Sequence, residues 1–190
     1  MQINGTNNIP DYVLSNTILG LIIMRVTFLI LIILFKKKKI NLKNISITAL
    51  FLSYLFLMLK ITIFPINIFF PSNKIYENGL GQILDINFNL LAIGNYNLID
   101  FIGNLFILFP LAIFAAIVLP QKFGEMKPNL ILGFSVAFMF EVIDIIFNYF
   151  YMSNKIFDVD NLILNFIGYV FGYLFYKTII FRNNKIKRFT

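Results

Sequence analysis

The sequence predicts an all-α polytopic membrane protein, a small bundle of five transmembrane helices with the N-terminus outside and the C-terminus cytoplasmic. Three observations predict it. Of the 190 residues, 59% are hydrophobic and only 13% are charged, with a mean hydropathy of +0.82, which lies outside the range of soluble domains. The apolar residues gather into five runs of about 20 residues, the length that crosses ~30 Å of hydrocarbon at ~1.5 Å per residue. Lys and Arg then alternate in density from one set of ends to the other. With the N-terminus outside, the inner side holds 12 of the 16 basic residues (Lys36 to Lys39, Lys43, Lys122, Lys127, Lys177, Arg182, Lys185, Lys187 and Arg188), and the outer side holds Lys74 and Lys155. That asymmetry sets the orientation.

The first run extends from Tyr12 to Phe35 and is stopped by Lys36 to Lys39. It has no basic residue before Arg25 and no small-residue cleavage motif after it, so the N-terminus is expected to stay attached. Arg25 either snorkels or serves as a counter-ion. The second run, Ile45 to Phe64, ends at Pro65, which cannot continue a helix without losing a bond. Lys60 lies in its far half, where a snorkelling role and a buried ion pair are both open. Residues 66–97, with Pro71, Gly79, Gly81 and Gly94, read as an outer loop, with a short interfacial element around Ile83 to Ile93 as the alternative. The third span is Leu98 to Leu119, kinked near Pro110. A turn from Gln121 to Pro128 leads to the fourth, Asn129 to Met152, and the fifth, Asn161 to Phe181, precedes a basic tail. The whole chain, 1–190, reads as one membrane domain.

Cys and His are both absent. That removes thiol nucleophiles, disulfides, ordinary zinc sites and the commonest general base. The net charge of +7 follows the topology, and no basic patch interleaved with aromatics offers itself to nucleic acid. The sequence implies no cofactor and assigns no metal ligand set.

The polar residues of the apolar runs concentrate in 135–172. Glu141, Asp144 and Asn148 stand at i, i+3, i+7 on one helix face, and Asn161, Asn165, Gly168 and Gly172 form a stripe on the next. Asp158 and Asp160 lie between them, and Asn104 opens the third span. The orientation puts this cluster in the outer leaflet. An ionisable group in hydrocarbon is costly and is a functional candidate by default. Two acids at i, i+3 in apolar surroundings cannot both ionise cheaply. One is expected to hold its proton or to pair with Lys60, Arg25 or Lys155, and Lys60 is expected within salt-bridge or water-bridged distance of Glu141 or Asp144. Asp158-x-Asp160 suits an N-cap or a hard cation. Asn104 and Asn165 suit interhelical hydrogen bonds or ligand contacts, and Gly168-x-x-x-Gly172 suits close packing. The candidate ligand-binding set is Glu141, Asp144, Asp158, Asp160, Asn165, Asn104, Lys60 and Lys155.

Four segments, in order, resemble the VanZ-like membrane protein family over about residues 54–176: YLFLMLKITIFP at 54–65, GNLFILFPL at 103–111, SVAFMFEVID at 135–144, and KIFDVDNLILNFIGYVFGY at 155–173. The motif residues that carry over are Asn104, Pro110, Ser135, Glu141, Asp158, Asp160, Asn165, Gly168 and Gly172. Lys155 stands where the family has Arg, Asn161 where it has a second acid, Asp144 where it has Gln, Ala112 where it has Gly, and Leu91-Ala92 where it has Pro-Phe. The resemblance implies a multi-pass protein of the cell membrane linked to glycopeptide (teicoplanin) resistance. Together with the acidic cluster it leads us to expect binding of an amphiphile, a lipoglycopeptide antibiotic or a lipid-linked cell-wall intermediate. Two other classes stay open. One is an enzyme on lipid-linked wall precursors, with Glu141 as general acid or base and a metal at Asp158 and Asp160. The other is a small transporter. Membrane lipids are the expected partners, and assembly into oligomers stays open.

Overall fold

Among the residues that the computed structural model describes, three helices are long and apolar enough to cross a membrane: Leu98–Val118, Met126–Tyr149 and Val159–Ile179. The structure describes residues 2–3, 6–15, 25, 29, 42–78, 86–88 and 98–181. Most of the expected first span, the Ile83 to Ile93 element apart from residues 86–88, and the basic tail lie outside the described residues. The chain divides into two compact units, Met1–Leu84 with Ile146–Lys155, and Asp85–Ile145 with Ile156–Thr190.

In the first unit, β1 (Gln2–Ile3) and β2 (Thr6–Asn7) form a small antiparallel pair. β3 (Tyr12–Leu14) pairs antiparallel with β4 (Ile66–Ile68), Tyr12 opposite Ile68 and Leu14 opposite Ile66. This corrects the expected helix start at Tyr12. A short apolar run reads the same as a strand or as the first turn of a helix, and here a distant partner strand supplies the backbone bonds. Asp11 anchors the same corner by accepting from the Phe70 N–H at 2.8 Å and from Asn73 Nδ2 at 2.9 Å. Arg25 and Leu29 are helical. α1 (Leu42–Thr62) carries the shorter apolar stretch Ser46–Thr62 and ends ahead of Pro65, as a proline stop requires.

In the second unit, α2 (Leu98–Ile107) and α3 (Phe109–Val118) together make the first of the long spans. They are separated at Leu108, and Pro110 lies in the first turn of α3. The ring removes a donor and crowds the preceding turn, so the expected kink becomes a break in the helix. α4 (Pro120–Phe123) is a single turn leading to α5 (Met126–Tyr149), whose last residues from Ile146 belong to the first unit. β5 (Ile86–Asn87) pairs in parallel with β6 (Phe157–Asp158), which opens α6 (Val159–Phe175). α6 runs on as π-helical turns over Tyr176–Phe181.

Glycines let α6 lie directly on the α2–α3 backbone. A Cβ at Gly168 would stand 1.6 Å from the Leu105 carbonyl oxygen, and one at Gly172 would stand 2.1 Å from that of Phe109. The stripe is therefore close packing, the use that small residues serve between membrane helices. On α5 and α6 several polar residues turn inward while large apolar ones of α5 face out. Glu141, Asp160, Asn165 and Asn129 are buried, whereas Ile131, Phe134, Phe138 and Met139 on α5 are exposed. Apolar side chains outward and polar ones inward is the arrangement hydrocarbon favours.

Candidate functional site: acids around the first turn of α6

Asp158 is the residue from which α6 starts. Its backbone is extended (φ −133, ψ 116), and its side chain accepts from the Asp160 N–H at 2.9 Å. This is an N-cap, and it occupies one of the donors that a helix start leaves without an intrahelical partner. The other carboxylate oxygen of Asp158 accepts from Asn87 Nδ2 at 3.3 Å, a contact set up by the register of β5 on β6, which places Asn87 opposite Asp158. The Asp158 N–H donates to Glu141 Oε2 at 2.9 Å. Glu141 is thus tied from α5 to the very start of α6, and only 2% of it is exposed.

Asp160 follows in the first turn, 3% exposed. The N-terminal partial charge of a helix favours an acid there. Asn104 on α2 donates to Asn161 Oδ1 at 2.6 Å, so α2 and α6 are joined by an amide pair at the same end. Asn165 is buried one turn further in, and Asp144 is half-buried on α5 one turn beyond Glu141. The second unit therefore gathers Glu141, Asp158 and Asp160 about one helix start, with Asn104 joined to it through Asn161. A set of carboxylates with amide neighbours can accept hydrogen bonds from, and neutralise, a cationic or hydroxyl-rich group. Among the described residues no group of three or more acids is placed to hold a metal ion.

The two lysines of the expected set lie in the first unit. Lys60 is exposed on α1. Lys155 donates from Nζ to the Ile61 carbonyl at 3.2 Å and to that of Thr62. Those carbonyls belong to the last turn of α1, where a cation satisfies orphan acceptors and complements the helix dipole. Asn148 holds the same turn, donating from Nδ2 to the Lys155 carbonyl at 3.0 Å.

Sequence reasoning missed Asn87, Asn129 and Tyr169. Asn87 sits in a stretch with no regular period, and only strand pairing brings it to Asp158. Asn129 carried a usable signal, because Asn129, Gly133, Ala137 and Glu141 recur every four residues and share one helix face.

These features define an α-helical protein built around membrane-length helices, with a buried acidic cluster capping one of them. The VanZ/LLP1 family model matches residues 22–182, and the chain belongs to that family. No curated protein and no solved structure gives a significant match.

Proposed function

We propose that this VanZ/LLP1-family chain is a five-span protein of the cell membrane, N-terminus outside, that binds an amphiphilic ligand at the acids around the start of α6. The ligand class is a lipoglycopeptide antibiotic or a lipid-linked cell-wall intermediate, and the consequence of binding is a contribution to glycopeptide (teicoplanin) resistance. One observation carries the reading. Glu141 is a 2% exposed carboxylate on a membrane-length helix, and it meets Asp158 at the opening of the next. Buried ionisable residues in membrane helices are expensive and mark binding or transport sites. The basic asymmetry of the sequence supports an outer position for this end of α5 and α6, and exposed Phe88, whose ring lies 6.2 Å from that of Phe157 beside Asp158, offers apolar surface for the lipid part of a ligand.

The test is binding of a fluorescent lipoglycopeptide and of a lipid-linked wall precursor to the protein in lipid nanodiscs. Glu141→Gln is expected to keep the fold and lose binding. Saturable binding that is unchanged in Glu141→Gln and in Asp158→Asn would remove the acids from the site.

A further inference from the structure

The β3–β4 ribbon of the first unit has two unlike faces. Successive residues of a strand point to opposite sides, and directly opposed residues share a side. The register therefore puts Tyr12, Leu14, Ile66 and Ile68 on one face, all of them aliphatic or aromatic, and Val13 with Asn67 on the other. The second face leads into the protein, because Phe69, two residues past Asn67, is buried and clusters with Ile75 and Tyr151. The first leads out. Tyr12 is 49% exposed, and Phe70, two residues past Ile68, is 57% exposed.

The chain around the ribbon says what this outward face meets. β4 begins just after the apolar stretch Ser46–Thr62 of α1, whose last turns expose Leu57 and Ile61. Lys60 stands in the last turn of α1, and the Lys155 ammonium sits on the carbonyls of Ile61 and Thr62. Ammonium groups at the end of an apolar helix mark the headgroup level of a bilayer. The ribbon is held at that level, since the Asn67 N–H donates to the Met152 carbonyl at 2.8 Å and ties β4 to the end of α5. Two strands alone keep open edges whose backbone groups need water, so such a ribbon suits the boundary of a bilayer and not its core. Tyr suits the same depth, with an apolar ring and a hydroxyl that reaches water.

We propose that the Tyr12–Phe70 face of the β3–β4 ribbon is a membrane-surface anchor, and that its partner is the boundary between headgroups and acyl chains at the end of α1. Tyr12 and Phe70 set into that boundary, Leu14, Ile66 and Ile68 line the ribbon between them, and the face with Val13 and Asn67 turns away from lipid. The anchor rests on α1 lying in the bilayer and stands whether or not the acids bind an amphiphile.

The chain contains no Trp, so a single introduced Trp reports its own surroundings. Tyr12→Trp, Phe70→Trp and Val13→Trp, all at exposed positions, are compared in the full chain in lipid nanodiscs, with lipids brominated high on their acyl chains as one quencher and aqueous iodide as the other. Trp at 12 and at 70 is expected to be quenched several-fold more by the brominated lipid than Trp at 13, and several-fold less by iodide. Equal quenching of all three positions by either reagent means that the ribbon has no lipid face, and overturns the proposal. Protection of positions 12 and 70 from both reagents overturns it as well, since a second copy or another protein then covers them. Lipid quenching at only one of the two means that the face does not lie along the boundary, and is equally fatal.

Discussion

Glu141 and Asp158 are joined by a hydrogen bond of 2.9 Å from the Asp158 backbone N–H to the Glu141 carboxylate, across 17 residues of sequence. The bond links the middle of one membrane-length helix to the N-cap of the next. It is made by an acid of the proposed site, so one side chain both fixes the start of α6 and serves that site. Substitutions there separate the two roles only if the hydrogen bond is kept.

Glu141→Gln keeps an acceptor for the Asp158 N–H and removes the charge. Hydrogen bonds to charged groups contribute roughly 1.5–3 kcal/mol and neutral ones about 0.5–1.5, so the expected loss of stability is on the order of 1 kcal/mol. Glu141→Leu leaves the Asp158 N–H enclosed without a partner, and about 2–3 kcal/mol is the expected cost. Thermal unfolding in detergent should rank wild type, Gln and Leu in that order. Equal stability of Gln and Leu would mean that the bond to Asp158 does not hold α6.

The contact of α6 with α2–α3 predicts a sharp contrast between glycines. Gly168→Ala and Gly172→Ala drive a methyl into backbone carbonyls at 1.6 and 2.1 Å, and backbone cannot give way as a flexible side chain can. Overpacking costs typically about 1–3 kcal/mol, and these two should lie at or above the top of that range. Gly103→Ala, on α2, meets nothing within 4 Å. It should be neutral or stabilising by up to ~1 kcal/mol, the helix-propensity gain of Ala over Gly. Loss of folded protein in Gly103→Ala comparable with that in Gly168→Ala would contradict the packing.

Much of this was legible in advance for a simple reason. In the second half of the chain hydrocarbon-length apolar runs are punctuated by Pro and polar turns, and such runs have one economical structure, the helix. Residues Leu98–Val118, Met126–Tyr149 and Val159–Ile179 fall within a few residues of the expected spans for that reason. The glycine stripe was equally legible, since Gly168 and Gly172 share a face by spacing alone. The strand at Tyr12–Leu14 was not, because its bonds come from Ile66–Ile68 and nothing local announces them. Lys155 shows the same limit. Its position in a motif suggested a ligand contact, and only the fold reveals the carbonyls of Ile61 and Thr62 at its ammonium group. Within the site, the Asp158 N-cap was visible as an Asx residue before an apolar run, while Asn87 reaches it through tertiary pairing.

The proposed topology makes a prediction that this naturally Cys-free chain suits well. Lys37→Cys and Ile186→Cys should be protected from a membrane-impermeant maleimide in intact cells, and Asn154→Cys should be labelled. The basis is the distribution of Lys and Arg, counted over short loops close to the helix ends. Labelling at 37 or 186 from outside would reverse the orientation and move the acidic cluster to the cytoplasmic leaflet.

Tyr151 supplies a last prediction, in which glycine should be the milder of two truncations. α5 ends in two bonds that define its stop: the Tyr151 N–H to the Asn148 carbonyl at 3.0 Å, and the Met152 N–H to the Phe147 carbonyl at 2.7 Å. This pattern requires a left-handed residue just past the helix, usually Gly. Here it is Tyr151, at φ 59. A left-handed non-glycine residue costs roughly 1–2 kcal/mol, and the packing of its side chain offsets that. The ring is 2% exposed, clusters with Phe69 and Ile75, and meets Tyr76 edge-on at 6.0 Å. Truncating it removes about 3–5 kcal/mol of packing. Tyr151→Ala loses the ring and keeps the backbone strain, whereas Tyr151→Gly loses the ring and relieves the strain. Tyr151→Gly should therefore be more stable than Tyr151→Ala by on the order of 1 kcal/mol, the reverse of their order within a helix. Thermal unfolding of both variants in the same detergent decides it. Tyr151→Ala as the more stable would mean that the turn abandons its left-handed residue once the ring is gone, and that the ring alone holds it there.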